Sequence, residues 1–316
     1  MTATSASKQP QKNEISCHRR QGLLALPLNI DSEILPIGEL HMSIRLIAVD
    51  VDGTLLNSKK ELTEPVKAAI AAVKDHGYLF TIATGRDIRG LRQFHSLLSP
   101  GAPVITYNGA EIRRAGSGEL VSGVCLPEAS AREVIRRGLE FGFSVIVWSK
   151  GTLYISQAGQ YSRGYPEMYG IRELELTEPD ALARQDVTKV IWAGEPGRIG
   201  QLEKEFSAAP IRGSECCTSD ESYLEFMAEG VNKGTGLRAA AESLGLSRNE
   251  VMAVGDGHND IPMLRWAGLS VAMGNASPEV KAAAGNITES CERSGLASAL
   301  EKLLSGSLLY SHFDSE

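Results

Sequence analysis

No apolar run in this chain approaches the roughly 18 residues that a membrane-spanning helix requires. The stretch 44–49 is short and is interrupted by Arg45, so no membrane partner is expected. Basic charge is also in deficit. The formal net charge is −7 over 316 residues, which argues against a nucleic-acid backbone as partner but leaves room for an anionic substrate in a locally positive site. Cysteine is scarce and odd in number: Cys17, Cys125, Cys216, Cys217 and Cys291, with no CxxC spacing. Neither a disulfide framework nor a zinc site is indicated, and a reducing, cytoplasmic location is expected. A secretion signal is missing as well: Arg19-Arg20 precede an apolar stretch, but Pro27 interrupts it and no A-x-A-like cleavage site follows. Residues 1–14 are polar and aperiodic, so 1–42 is read as a disordered extension, with Met42 as the expected start of the functional chain. A chain beginning at Met42 is expected to keep full activity and stability.

What is present suits a folded enzyme. Apolar residues make up 42% and charged residues 22%, enough for two domains with buried cores. Ile44–Asp50 is an apolar run ending in an acid, the form of a central parallel strand. Thr63, Pro65 and Gly77 bracket a helix over 64–76. Tyr78–Thr84 reads as a second buried strand, 89–98 as a helix, and Pro103–Tyr107 as a third strand. Strand and helix alternate, which predicts a doubly wound, Rossmann-like α/β layer built on a parallel sheet.

After Asn108-Gly109 the texture changes. Segments 110–113 and 120–126 flank Gly116-Ser-Gly118 as a hairpin. A helix over 128–141, strands at 144–148, 152–155 and 188–192, a helix over 198–207, and strands near Ile211 and over 223–227 complete an α+β insertion. The alternating pattern resumes with a helix over 234–244, a strand at 250–255 ending on Asp256, a helix over 261–267, a strand at 270–273 and a helix over 278–284. The expected domains are a core of 43–110 and 228–304, an insertion of 111–227, and a fraying tail of 305–316.

Four strand ends converge in this scheme: Asp50 with Asp52, Thr84, Asn108, and Asp256. Ligands of open α/β sheets bind beyond the carboxyl ends of the strands. Three carboxylates gathered there call for a cation, and an all-oxygen set favours Mg²⁺ over zinc. Lys233, Thr84, Asn259 and nearby glycines offer a phosphate what it needs: a positive charge, a hydroxyl, an amide and close backbone N–H groups.

Asp50-Val-Asp-Gly-Thr-Leu-Leu56 resembles the first motif of the haloacid-dehalogenase-like (HAD) superfamily. Ala83-Thr-Gly-Arg86 resembles its second motif, Asn232-Lys-Gly234 its third and Gly255-Asp-Gly-His-Asn-Asp260 its fourth. Asn108-Gly-Ala110 and Val271–Ala276 are similar to flanking segments of the Cof-type (class IIB, C2-capped) branch. The resemblance spans roughly 43–304. It implies a HAD core with an α/β cap that closes over the site and selects the leaving group. It further implies a Mg²⁺-dependent phosphatase acting on small phosphorylated metabolites, such as sugar or cofactor phosphates. Carried over residue by residue, Asp50 is the nucleophile and Asp52 the general acid and base. Mg²⁺ is held by Asp50, the Asp52 carbonyl and Asp256; Thr84, Gly85, Lys233 and Asn259 hold the phosphoryl oxygens; Asp260 anchors Lys233 and Asn108 supports. Arg86 reads as an ion-pair partner and His258 as solvent-facing. Hinges are expected at Asn108-Gly109 and Glu229-Gly230.

Two rivals stand beside this reading. A phosphomutase needs an arginine cluster for a second phosphate, and Arg132, Arg136 and Arg137 lie together on one predicted helix. A catalytically inactive binding protein on the same fold would not need both acids and Lys233. The oligomeric state is not legible.

Overall fold

The computed structural model describes residues 44–308; the expected extension 1–42 and the tail beyond 308 lie outside the described residues. Along the chain, β1 is Leu46–Val49, followed by α1 (Glu64–Asp75), β2 (Leu79–Ile82), β3 (Pro103–Thr106), β4 (Glu111–Arg114) and β5 (Leu120–Gly123). The middle of the chain holds α2 (Glu128–Glu140), β6 (Ser144–Ser149), β7 (Thr152–Ile155), α3 (Tyr165–Tyr169), β8 (Leu174–Glu175), α4 (Pro179–Ala183), β9 (Val187–Ala193), α5 (Pro196–Ala208), β10 (Ser214–Asp220) and β11 (Tyr223–Ala228). Last come α6 (Lys233–Ser243), β12 (Val251–Gly255), α7 (Ile261–Trp266), β13 (Leu269–Ala272), α8 (Pro278–Ala282), β14 (Asn286–Ile287) and α9 (Gly295–Leu304).

The first sheet runs β14-β13-β12-β1-β2 with every pair parallel. Strand β1 is apolar throughout because both its faces are covered. Ile47 and Val49 pack with Ile70 and Val73 of α1 and Leu296 and Leu300 of α9. Leu46 and Ala48 pack with Leu237 of α6 and Met263 of α7 on the other side. This two-residue alternation between two helix layers is the doubly wound arrangement expected. Strand β3 joins the edge through a parallel bridge between Ala83 and Ile105, then turns back into an antiparallel β3-β4-β5 sheet.

The second large sheet, β10-β11-β9-β6-β7-β8, is antiparallel apart from its β7–β8 edge. Val145 and Val147 point to α2 and α5, packing with Val134, Ile199 and Phe206. Ile146 and Trp148, on the opposite face, pack with Tyr107 and Val231 from beside the parallel sheet. The α+β insertion therefore sits as a cap on the carboxyl ends of the core strands. The turn after β3 lies against the start of α6: Gly109 has φ +99°, and a Cβ there would come within 2.3 Å of the Asn232 carbonyl oxygen.

Several elements differ from the sequence-based expectation. Segment 89–98 is a 3₁₀ stretch over Ile88–Phe94 rather than an α-helix; Asp87 accepts the Arg89 N–H at its start and Gly90 lies inside it. The strand expected near Ile211 begins at Ser214. Thr63 occupies the start of α1 without capping it; its hydroxyl pairs with Ser294 Oγ at 3.1 Å. Helix α9, for which no signal was read, covers the α1 face of the sheet. Cys216 and Cys217 are both half-buried, on alternate faces of β10.

Candidate active site

Because β1 and β12 pair in register with Val49 opposite Val254, the residues that follow them, Asp50 and Asp256, emerge side by side. The turn after β1 brings Gly53 against Asp256. At φ +89°, a Cβ on Gly53 would sit 2.2 Å from Asp256 Oδ2, so only glycine fits. Asp256 is oriented from both sides: Thr54 Oγ1 donates to Oδ1 at 2.7 Å and Asn275 Nδ2 to Oδ2 at 3.0 Å. Lys233 is the first residue of α6 and is fully buried. Its Nζ donates to Asp50 Oδ1 at 2.6 Å and to Asp260 Oδ1 at 2.5 Å. Asp260 Oδ2 accepts from the backbone N–H groups of Asp256 and Gly257, both at 2.9 Å.

Carboxylate oxygens of Asp50, Asp256 and Asp260 thus lie within 4.8 Å of one another, with one ammonium among them. Burial pushes the Asp50 carboxyl up to about 8, with Lys233 opposing and the neighbouring aspartates adding to the rise. Burial, reinforced by Asp260, pushes Asp256 up to about 6. Burial works against the charge on Lys233, but Asp260 and Asp50 outweigh it and hold the ammonium above its usual range. Negative charge is therefore in excess, and a hard divalent cation suits this oxygen-only set. Asp260 Oδ2 takes two N–H donors and its Oδ1 the ammonium, whereas each Asp256 oxygen takes a single donor, so Asp50 and Asp256 are the side chains with lone pairs left for such a cation.

Asp52 lies outside that cluster. Burial would raise its pKa, yet Arg86 and then Lys60 bring it below the usual carboxylate range. Arg86 grips it with two bonds, Nε to Oδ2 at 2.9 Å and Nη2 to Oδ1 at 2.6 Å, and Lys60 Nζ adds a third at 2.9 Å. Arg86 is indeed an ion-pair partner. Thr84 is buried beside β3, its N–H bonded to the Ile105 carbonyl at 2.9 Å and its Oγ1 accepting from the Arg86 N–H at 3.2 Å. Asn259 Nδ2 donates to Asn108 Oδ1 at 3.0 Å, and Asn108 Nδ2 donates in turn to Glu225 Oε2 of the cap at 2.6 Å. Lys189, also from the cap, donates to the Gly85 carbonyl at 2.8 Å and to Glu225 Oε1 at 2.9 Å.

All nine residues singled out from the sequence thus gather at one end of the parallel sheet. Thr54, Asn275, Lys189 and Glu225 were given no role in the sequence reading. For the last two a signal existed: each is a lone charge inside an otherwise apolar cap strand. A cavity of ≈ 250 Å³ opens between β10 and the core, lined by Asn108, Glu215, Cys217, Lys233, His258 and Asn259. His258, expected to face solvent, is half-exposed at the cavity wall, with Nε2 3.7 Å from Glu279. Burial pushes the Cys216 thiol up to about 11 and raises Cys217 well above its ordinary value, so neither is a ready nucleophile.

Residues 47–300 match the family model of haloacid dehalogenase-like hydrolases. YxeH of Bacillus subtilis is 31% identical over 269 residues, covering 82% of this chain and 98% of its own length. HMP-PP phosphatase of Citrobacter koseri is 30% identical over 243 residues, covering 75% of this chain and 86% of its own. The solved structure of the HAD phosphatase BT1666 from Bacteroides thetaiotaomicron is 27% identical with a TM-score of 0.71, covering 86% of this chain and 98% of that one. On the motifs, the fold and these likenesses together, the chain belongs to the haloacid dehalogenase-like hydrolase family.

Proposed function

We propose that this chain is a Mg²⁺-dependent phosphatase that hydrolyses small phosphorylated metabolites through a phosphoryl group carried on Asp50. The observation that carries this reading is the placement of Asp50: buried at the end of the central strand, bonded to a buried ammonium and within reach of Asp256. Mg²⁺, held by Asp50, Asp256 and the Asp52 carbonyl, would supply charge to offset repulsion between the anionic nucleophile and the anionic ester.

The chain's own groups do the rest. An Asp50 oxygen attacks phosphorus while the bond to the leaving alcohol breaks. Lys233, Asn259, the Thr84 hydroxyl and the Gly85 N–H hold the phosphoryl oxygens as charge redistributes. Water then attacks the acyl phosphate, and Asp52 removes its proton; orthophosphate leaves and Asp50 is regenerated. With its pKa lowered by Arg86 and Lys60, Asp52 is suited to this base role as it stands. Protonating the alcohol in the first step requires that grip to loosen, so esters with good leaving groups should react fastest.

The cap unit, expected as 111–227, is proposed to start after the β4–β5 hairpin, since that hairpin pairs with β3 on the core side. The cavity under β10 is the natural place for the leaving group, and relatives named for HMP-PP point to compounds of metabolite size. The mutase reading loses its arginine cluster. Arg132 pairs with Glu128, Arg136 with Glu133 and Glu140, and Arg137 with Glu133, all on the exposed face of α2. No helix among the described residues is long and apolar enough to cross a membrane, and we place the enzyme in the cytoplasm. A panel of phosphate esters assayed for released phosphate with Mg²⁺, and again with EDTA, tests the proposal. Isomerised product without free phosphate, or full activity in EDTA, would overturn it.

A further inference from the structure

Lys189 and Glu225 are charged residues in the middle of the cap sheet, on neighbouring strands β9 and β11, and both are fully buried, with relative exposures of 0% and 2%. They face the core rather than the cap interior. Beyond pairing with each other at 2.9 Å, each spends its remaining capacity on a residue of the phosphate-holding group. Lys189 donates to the Gly85 carbonyl and lies 5.7 Å from the Tyr107 ring centroid. Glu225 Oε2 accepts from Asn108 Nδ2. The approach is tight: a Cβ on Gly85 would stand 3.1 Å from Asn108 Oδ1 and 3.5 Å from Glu225 Oε2.

An ionised carboxylate only accepts hydrogen bonds, whereas an amide both donates and accepts. Glu225 therefore forces Asn108 to turn its NH₂ toward the cap and its carbonyl oxygen toward Asn259. That oxygen takes one N–H of Asn259, which fixes the second amide with its NH₂ inward and its other N–H available to a phosphoryl oxygen. We infer that the Lys189–Glu225 pair is a positioning device: it carries the seating of the cap into the orientation of the Asn108–Asn259 amide relay. Lys189 donates to Glu225 Oε1 and at the same time pins the Gly85 carbonyl. A buried pair is weak evidence for stability as such, since apolar replacements often serve as well. Its use here lies in giving Asn108 an acceptor of fixed sense that only a closed cap can present. The inference rests on the phosphatase reading for its catalytic consequence, but the relay itself does not.

The test uses the full chain. The double variant Lys189→Met/Glu225→Met removes both charges together and avoids a lone buried ion. Asn108→Ala and the triple variant complete a cycle. In the ligand-free protein, side-chain amide resonances of Asn108 and Asn259 are followed by NMR; the double variant should shift both, and an unmoved Asn259 amide overturns the relay. For catalysis, p-nitrophenyl phosphate turnover and orthovanadate inhibition are measured. The double variant and Asn108→Ala should each lower kcat and weaken vanadate binding by about tenfold or more, and the triple variant should be no worse than either. Losses that multiply in the triple variant would mean independent damage and overturn the inference. Should the double variant fail to fold, Glu225→Gln provides the same readouts, because a glutamine can present NH₂ to Asn108. That variant should shift the Asn259 amide, and an unchanged Asn259 amide with unchanged turnover overturns the inference equally. If the amides shift but wild-type protein cleaves no ester and binds no vanadate, the phosphatase reading fails while the relay stands.

Discussion

Replacing Lys233 with methionine is the most informative single perturbation, because it leaves Asp50 and Asp260 buried with no counter-charge. Lys233 is fully buried and donates to Asp50 at 2.6 Å and to Asp260 at 2.5 Å. Breaking a buried pair while leaving the acids behind costs about 3–5 kcal/mol. The cost depends on pH, with a definite sign. Asp50 has a folded-state pKa of about 8 against 3.8 for an exposed aspartate. Between those values the folded protein binds more protons than the unfolded chain, so stability falls as pH rises. Lys233 opposes that rise, so its loss moves the folded pKa further up and widens the window. The part of the Lys233→Met deficit that runs through Asp50 should thus be small near pH 6, where that carboxyl is protonated with or without Lys233, and grow as pH rises past about 8 toward pH 9. Urea unfolding in EDTA at both pH values measures it. Turnover should fall by about 10²–10³, the usual effect of removing one preorganised donor to a developing anion. A variant within about 1 kcal/mol of wild type at pH 9 and active at a near-normal rate would refute this account of the site, since a surface substitution costs no more.

Removal of the cation has a related signature. With Asp50 at about 8 and Asp256 at about 6, Mg²⁺ must displace protons to bind. Added Mg²⁺ should raise the unfolding temperature far more at pH 8 than at pH 5, and a pH-independent shift would contradict it. Arg86→Met removes the stronger of the two cations holding Asp52 down, so the acid limb of the kcat–pH profile should move to higher pH; an unmoved limb would separate Asp52 from the base role. Gly53→Ala puts a Cβ into the Asp256 carboxylate at φ +89°, and should weaken Mg²⁺ binding at least tenfold in calorimetric titration while the rest of the fold persists.

The parallel core was readable because its strands are mostly apolar and end in polar residues that nothing in a buried layer would otherwise tolerate. Asp50, Thr84 and Asp256 each stood out in that way. Lys233 was readable because a lysine at the first position of a helix opposes the dipole unless an anion is near. Period and punctuation gave less help where tertiary contacts decide. The 3₁₀ form of Ile88–Phe94 accompanies bonds from Arg89 to Asp87 and to the Gly151 carbonyl, a residue far away in sequence. The hairpin 111–123 looked like part of the insertion, since its partner β3 cannot be inferred from local pattern. Lys189 and Glu225 were only partly legible for the same reason. Each is a single charge in an apolar strand, and only the folded cap shows that the two meet above Gly85 and Asn108.

The central claim is that Asp50 carries the phosphoryl group. Wild-type protein mixed with Mg²⁺ and a reactive aryl phosphate, quenched in acid within a turnover and digested, should yield one peptide heavier by a phosphoryl group, with the added mass on Asp50. Asp50→Asn should give neither that peptide nor released phosphate. Phosphate release from Asp50→Asn at a rate near wild type, or the label on any other residue, would contradict the account.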